Sequence, residues 1–147
     1  MLIVLEGVDG VGKTTLATLL SKTLNAGIVH ATRDTPNTWA WFSELMDLAK
    51  SRNLILDRAF WGQFVYQEPD DRKLTHEQLH DLEHRLHQEG GHLIYVTAND
   101  ADIWSRLNKR QEPLALPLNV LKTRYWARVS AADCPVLVYN TSTGEVT

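Results

Sequence analysis

The chain has 147 residues, of which 44% are hydrophobic and 22% charged, and its formal net charge is −3. This length corresponds to one domain, and the mildly acidic balance excludes a globally basic nucleic-acid binder, although not a local basic groove. A lone cysteine, Cys134, excludes an internal disulfide, so we expect a buried thiol and a reducing compartment. Because no apolar stretch approaches the roughly 20 residues of a membrane span, we expect a soluble cytoplasmic protein without a membrane partner.

Short apolar runs alternate with helical patterns along the chain. None of these runs alternates cleanly between apolar and polar residues, which indicates strands buried on both faces of a parallel sheet. The predicted strands cover residues 2–5, 27–31, 53–56, 93–97 and 136–139. The predicted helices cover residues 13–25, 38–51, 59–68, 75–89, 100–109 and 117–131. The order predicts a single α/β domain over residues 1–147, with three layers and a parallel five-stranded sheet.

The first predicted strand leads into a loop that fits G-x-x-x-x-G-K-[ST] completely. Glycines let the backbone N–H groups face phosphate oxygens, and the following helix directs its positive end at the same anion. Lys13 is expected to bind the β- and γ-phosphates, and the Thr14 hydroxyl to ligate Mg²⁺. The segment therefore predicts a site for ATP and Mg²⁺. The residues assigned to it are Gly7, Asp9, Gly10, Val11, Gly12, Lys13, Thr14 and Thr15.

A second signal stands at the end of the third predicted strand. Asp57 follows a buried run, which is where parallel sheets of this kind place a carboxylate linked to Mg²⁺. The guanidinium of Arg58, next to it, is suited to a transferred or acceptor phosphate. The alternative is that Asp57 caps the next helix while Arg58 points into solvent.

The helix predicted over residues 75–89 also holds a motif that we interpret as structural. Thr75 and Gln78 form a capping box at its start. Residues 76–80 match H-E-x-x-H, the two-ligand signature of zinc peptidases. The helix continues without interruption and no third ligand is evident, so we expect His80 and His84 to lie on a solvated face.

These segments resemble the thymidylate kinase family and, more loosely, the deoxynucleoside kinases. Residues 6–15, EGVDGVGKTT, are similar to the family's E-G-x-D-G-x-G-K-T-T, and residues 32–36, TRDTP, to its T-R-E-P-G-G-T. Asp57-Arg58 and Tyr66-Gln67 keep the family's spacing between D-R and Y-Q. The resemblance implies the strand order 2-3-1-4-5 and an ATP-dependent kinase, that is, a phosphotransferase.

The resemblance also implies a role for each matching residue. Asp9 would contact the 3′-hydroxyl of the acceptor sugar, while Arg33 and Arg58 would approach the acceptor phosphate. Tyr66 and Gln67 would lie near the acceptor base. A basic lid over about residues 106–117 would close on the transferred group, and residues 140–142 would lie near adenine or form a plain turn. The lid cations are Arg106, Lys109 and Arg110.

The chain departs from the family on the acceptor side. It is shorter, and the loss falls mainly between residues 36 and 53, where the family carries the helices that recognise thymine. Gly62 replaces the family's serine after D-R. Phosphate chemistry therefore looks intact while acceptor recognition differs. The compact length favours a phage or a reduced genome, in which case the compartment is the host cytoplasm; a homodimer also remains open.

Three acceptor hypotheses remain open. The favoured acceptor is a (deoxy)nucleoside monophosphate, whose phosphate needs no general base. A hydroxyl acceptor, on a nucleoside or on a modified base in DNA, would need a carboxylate. The resemblance implies Asp34 for that role, because it stands where the deoxynucleoside kinases keep a glutamate. The third hypothesis is a non-catalytic NTP-binding module. Trp39, Trp41 and Trp61 flank the expected acceptor site and are interpreted either as a stacking surface for a base or as core residues.

Overall fold

The computed structural model describes residues 1–32 and 34–147. Arg33, assigned above to the acceptor phosphate, lies outside the described residues. Strands and helices alternate along the chain as predicted. The strands are β1 (Leu2–Glu6), β2 (Gly27–His30), β3 (Leu54–Asp57), β4 (His92–Thr97) and β5 (Val136–Asn140). The helices are α1 (Lys13–Leu24), α2 (Trp39–Leu48), α3 (Gly62–Val65), α4 (His76–Gln88), α5 (Asp100–Arg110) and α6 (Leu118–Ala131).

The five strands form one parallel sheet in the order β2-β3-β1-β4-β5. The predicted fold and strand order are therefore confirmed. Leu5 of β1 pairs with Asp57 of β3, and His30 of β2 pairs with the same residue. Because parallel strands end at one edge of the sheet, this register collects the loops after β1, β2 and β3 in one place.

The core lies on the two central strands. Every residue of β1 and β3 is buried, as the apolar runs predict. Burial on both faces is wrong for β2 and β5, which are partly exposed because each lies at an edge of the sheet. The outer edge of β5 is paired by residues 145–147, through Val138 N to the Thr147 carbonyl and Asn140 N to the Glu145 carbonyl, both 2.9 Å.

The helix ends follow local rules. The capping box of α4 is present, since Thr75 and Gln78 exchange side chain–backbone hydrogen bonds. The helix predicted over 59–68 is too long: α3 covers four residues, and a 3₁₀ turn follows at Pro69–Asp71. Pro69 explains why the helix cannot include Glu68, because proline disfavours helical geometry in the residue before it, and Glu68 is extended with ψ 154°.

None of the helices in the described ranges is long and apolar enough to cross a membrane. On α4, Leu79, Leu82 and Leu86 are buried. The His80 ring is half-buried beside the carboxylate of Glu83, with Nδ1 at 3.1 Å from Oε1.

Candidate active site

The phosphate-binding loop connects β1 to α1 in the conformation that its glycines permit. Gly12 caps α1 with φ +94°, a left-handed geometry that side chains rarely adopt. Gly7 lies so close to the neighbouring strand β4 that an added Cβ would collide with the Val96 carbonyl oxygen. The loop therefore requires glycine at these two positions, and its N–H groups are presented at the start of α1.

Lys13 is held tightly against this loop. Its Nζ donates to the carbonyl oxygens of Gly7 at 2.5 Å and Val8 at 3.1 Å, and its side chain is buried. Burial, and secondarily the charge of Arg58, lowers the pKa of Lys13 to about 8. Its ammonium is therefore a fixed, poorly hydrated positive charge at the position where the motif predicts the β- and γ-phosphates.

Thr14 and Asp57 come together from different elements, as the sequence predicts for a metal site. The Thr14 hydroxyl donates to Asp57 Oδ2 at 3.1 Å, and the carboxylate of Asp57 is largely buried at the end of β3. A hydroxyl and a carboxylate are hard oxygen donors of the kind that Mg²⁺ prefers beside phosphates, so this donor set fits the ion. The sequence did not single out His30, whose Nδ1 lies 3.2 Å from the same carboxylate oxygen.

The larger cavity, of about 710 Å³, lies over the loop and the start of α1. Arg106 lines this cavity, and its guanidinium donates to the Gly10 carbonyl at 3.0 Å and the Thr141 hydroxyl at 3.3 Å. Thr141 in turn donates to the Val11 carbonyl at 2.7 Å. The residues assigned from sequence that line this cavity are Asp9, Gly10, Gly12, Lys13, Thr14, Thr15, Arg106, Lys109 and Arg110.

A second cavity, of about 300 Å³, shares Asp9 with the first. Arg58 lines it and forms an ion pair with the carboxylate of Asp9, while its guanidinium stacks over the ring of Tyr66 at 5.6 Å. Burial is the largest single influence and lowers the pKa of Arg58, but the Asp9 carboxylate together with Tyr125 and Tyr66 outweighs it, so that pKa is raised. Arg58 also has φ +67°, a strained backbone geometry that clusters at functional sites.

Two polar side chains assigned from the sequence contribute to the lining of this second cavity. Tyr66 and Gln67, expected near the acceptor base, both line it. The Tyr66 hydroxyl and Gln67 Oε1 are buried, and neither has a hydrogen-bond partner among the described residues. Both atoms are shielded from solvent, so they lie behind the lining of the cavity rather than on its surface. Burial raises the pKa of Tyr66 to about 12, so its hydroxyl keeps its proton.

The end of α5 and the segment after it together reach from one cavity to the other. Arg106 and Arg110 belong to the larger cavity, whereas Pro113 and Ala115 line the smaller one. The predicted lid of residues 106–117 thus contacts both cavities.

Glu6, the residue before the loop, is a buried acid that sequence reasoning did not single out. Its Oε1 accepts the backbone N–H of Trp61 at 2.9 Å, and its side chain is fully buried. Burial raises the pKa of Glu6 to about 8, although the hydrogen bond from Trp61 and the charge of Lys13 oppose this. Glu6 is therefore mostly protonated at neutral pH.

The sequence left stacking and core packing open for the tryptophans, and the surroundings of Trp61 and Trp39 favour packing. Trp61 is fully buried and its indole N–H donates to Glu83 Oε2 at 2.8 Å, so it belongs to the core. Trp39 lies on α2, where its indole N–H donates to Asp81 at 2.6 Å. Neither belongs to the described lining of the two cavities. Phe42 packs in the core against Phe60, with ring centroids 5.1 Å apart.

Asp34 and Cys134, for which the sequence suggests a general base and a buried thiol, lie in different surroundings. Asp34 is exposed in a turn, where its backbone N–H bonds the Thr32 hydroxyl at 3.3 Å, and it is absent from the described lining of the smaller cavity. Cys134 is half-buried, and burial together with Glu83 and Asp133 raises the pKa of its thiol to about 12. Its thiol is therefore protonated and unreactive at neutral pH.

The parallel sheet of this order, with a complete phosphate-binding loop between β1 and α1, defines the class of the protein. The chain has the P-loop kinase fold, which confirms the predicted fold, and it shares that fold with solved nucleotide and nucleoside kinases. No protein-family model matches the chain, and no curated protein matches it.

The chain is similar to several solved structures. The YorR protein from Bacillus subtilis, in complex with phosphorylated GDP, is 26% identical with a TM-score of 0.79, covering 99% of this chain and 87% of that one. A deoxyadenosine kinase from M. mycoides is 16% identical with a TM-score of 0.57, covering 94% and 89% of the two chains. Thymidylate kinase from Candida albicans is 17% identical with a TM-score of 0.51, covering 96% and 84%.

Proposed function

We propose that the protein is an ATP-dependent kinase that transfers the γ-phosphoryl group to a nucleoside or deoxynucleoside monophosphate. The observation that carries this proposal is the position of Arg58. This permanent cation lines the smaller cavity and is paired with Asp9, which lines both cavities. A guanidinium there is suited to an acceptor phosphate, because its five donors can bind a phosphate while one of them keeps its bond to the carboxylate.

The donor side of the mechanism follows from the loop. The loop N–H groups and Lys13 hold the β- and γ-phosphates of ATP, and Thr14 and Asp57 hold the Mg²⁺. When bound, the ion neutralises charge on the phosphates. Arg106 and Arg110 stabilise the charge that spreads over the transferred group.

The acceptor side requires positioning rather than proton abstraction. A phosphate monoester has its second pKa at about 6, so it is largely a dianion at neutral pH and already a nucleophile. Arg58 places it for in-line attack, while Asp9 is suited to the sugar hydroxyl and Tyr66 with Gln67 to the base. The position of Asp34 supports this acceptor over a hydroxyl, because its exposed turn gives no described contact with the cavity. The neighbours do not discriminate between the acceptors, because the YorR structure holds phosphorylated GDP whereas the deoxyadenosine kinase holds dCMP as a product.

The test is ATP turnover with a panel of nucleosides, their monophosphates and single-stranded DNA oligonucleotides. We expect transfer to at least one monophosphate and near-normal rates for Asp34→Asn. Transfer to nucleosides or DNA with a strong loss in Asp34→Asn would instead support the hydroxyl acceptor. Tight ATP binding without transfer to any acceptor would support a binding module.

Arg58→Ala sharpens the same test. Losing a charge-assisted hydrogen bond costs about 1.5–3 kcal/mol, so we expect kcat/KM for the monophosphate to fall roughly 10- to 100-fold. Arg52→Ala is the matched control. Arg52 is exposed in the turn before β3, whereas Arg58 follows the other end of that strand. Equal activity of Arg58→Ala and the control would contradict the assigned acceptor site. A homodimer stays a prediction, to be checked by light scattering.

A further inference from the structure

The side chain of Gln63, on α3, connects three backbone groups at the wall of the smaller cavity. Gln63 lines that cavity and is buried. Its Oε1 accepts the N–H groups of Lys73 at 2.9 Å and Leu74 at 3.0 Å, and its Nε2 donates to the Asn37 carbonyl at 2.7 Å. Because a backbone N–H only donates and a carbonyl only accepts, these partners fix which end of the amide faces each segment.

The Asn37 carbonyl belongs to a turn after β2 in which Thr32, Thr35 and Asn37 are hydrogen-bonded to one another; we call it the Asn37 turn. Thr35 Oγ1 donates to the Thr32 carbonyl and to Asn37 Oδ1, both at 2.7 Å, and the amide nitrogen of Asn37 donates to the Thr32 carbonyl. Thr32 and Asn37 both line the smaller cavity. The Asn37 turn is therefore one internally bonded part of the cavity wall.

Gln63 attaches this turn to the helix that separates the two residues assigned to the acceptor phosphate and base. Arg58 precedes α3 and Tyr66 follows it, and both line the cavity. Lys73 Nζ also donates to the Asn37 turn, at 3.3 Å from an exposed position, and Gln63 accepts the backbone N–H of the same lysine. The position of the turn relative to Arg58 and Tyr66 thus depends on the Gln63 amide.

We propose that Gln63 is a positioning residue for the phosphoryl acceptor, because its amide sets the width of the smaller cavity between the Asn37 turn and α3. The proposal rests on the proposed function, since it takes this cavity to hold the acceptor. Without the amide, the turn occupies a range of positions, and the acceptor has to order it on binding. The cost then appears in the KM of the acceptor more than in kcat.

The experiment is steady-state kinetics with ATP and the acceptor that the wild-type protein phosphorylates among nucleosides, monophosphates and DNA oligonucleotides. Gln63→Met keeps the length of the side chain and removes all three hydrogen bonds. We expect the KM of the acceptor to rise about tenfold, as for the loss of one or two hydrogen bonds, with a smaller change in kcat. The KM of ATP should stay within about twofold of wild type, since Gln63 lies outside the described lining of the donor cavity.

Two further variants make the result specific. Gln63→Glu keeps an oxygen for the N–H groups of Lys73 and Leu74 but loses the donor to Asn37, so the KM of the acceptor should rise here too; this variant also serves if Gln63→Met does not fold. Asn53→Leu is the matched control. The Asn53 amide likewise bridges distant segments, donating to the Leu24 carbonyl at 3.0 Å, but it precedes β3, at the other end of the sheet.

The outcomes separate this proposal from the proposed function. A wild-type KM for the acceptor in a folded Gln63→Met or Gln63→Glu would overturn the positioning role. An equal rise in the KM of ATP, or in the acceptor KM of Asn53→Leu, would also overturn it, because the effect would then be a general structural one. Phosphorylation of a nucleoside instead of a monophosphate by the wild-type protein would contradict the proposed function alone, since the Gln63 variants are then compared on that nucleoside.

Discussion

At the scale of single residues, the site combines residues that the motif predicts with residues whose properties depend on burial or on tertiary contacts. Lys13 and Thr14 are named by the G-x-x-x-x-G-K-[ST] pattern, and the structure finds both at the loop. The state of Glu6 could not be predicted, because its pKa depends on full burial behind the loop. His30 was missed for a related reason: its contact with Asp57 arises from strand register, which a pattern within one segment does not show.

Glu6 gives a pH-dependent prediction. Burial raises its pKa from an ordinary value of 4.5 to about 8, so between these values the folded protein holds a proton that the unfolded chain has released. Its contribution to stability therefore falls as pH rises from about 4.5 to 8 and is constant above. Glu6→Gln removes this dependence. Relative to wild type, the variant should gain on the order of a few kcal/mol between pH 5 and pH 8.

Urea unfolding of both proteins at several pH values measures this difference. The comparison isolates Glu6, because Lys13 and the other titrating groups are present in both proteins and largely cancel. A difference in unfolding free energy that stays constant from pH 5 to pH 8 would show that Glu6 is ionised throughout that range.

The roles of the tryptophans could not be predicted from the sequence. Aromatic side chains near an expected site fit a stacking surface or a core equally well. Trp61 is placed in the core by two buried hydrogen bonds, to Glu6 and to Glu83, which lies on α4. Such a choice depends on contacts between distant segments and is not visible in local spacing.

At the scale of elements, most helices and strands were predictable to within a few residues. Buried runs, the capping box and the glycines act locally, so the sequence around them carries the signal. The predictions that were wrong depend on the order of the strands in the sheet or on a proline. Partial exposure of β2 and β5 follows from sheet order, and the predicted helix over 59–68 stops early before Pro69.

The capping box provides a prediction for one element. Thr75→Ala removes the hydroxyl that accepts the Gln78 N–H at 3.1 Å, so we expect a loss of about 1 kcal/mol in the free energy of unfolding. Thr123→Ala is the matched control, because Thr123 is exposed within α6. Chemical denaturation compares the two. A control that is destabilised as much as Thr75→Ala would show that the cap contributes nothing specific.

At the scale of the whole molecule, one connected edge of the sheet holds both cavities. The P-loop kinase fold was predictable because motif and strand–helix alternation agree, whereas the acceptor was not, since the cavity is assembled from residues between 9 and 115. The Asp9–Arg58 ion pair connects the two cavities, and the end of α5 lines the larger one while the segment after it lines the smaller. This arrangement suits the two substrates of the proposed phosphoryl transfer.

Arg106 tests the connection between α5 and the loop. Arg106→Ala removes its hydrogen bonds to Gly10 and Thr141 and its charge at the donor cavity. We expect kcat/KM for ATP to fall roughly tenfold or more, with a thermal midpoint close to wild type because the residue is half exposed. Lys22→Ala, an exposed change on α1, is the control. Unchanged kinetics in Arg106→Ala would remove it from the lid.

The central claim is transfer of the ATP γ-phosphoryl group at the loop, and product analysis by phosphorus NMR tests it most directly. Wild-type protein with ATP, Mg²⁺ and an accepted monophosphate should form ADP and nucleoside diphosphate in equal amounts. Lys13→Ala, in which the fixed positive charge is lost, should form neither. Release of inorganic phosphate without diphosphate, or a Lys13→Ala rate close to wild type, would contradict the account.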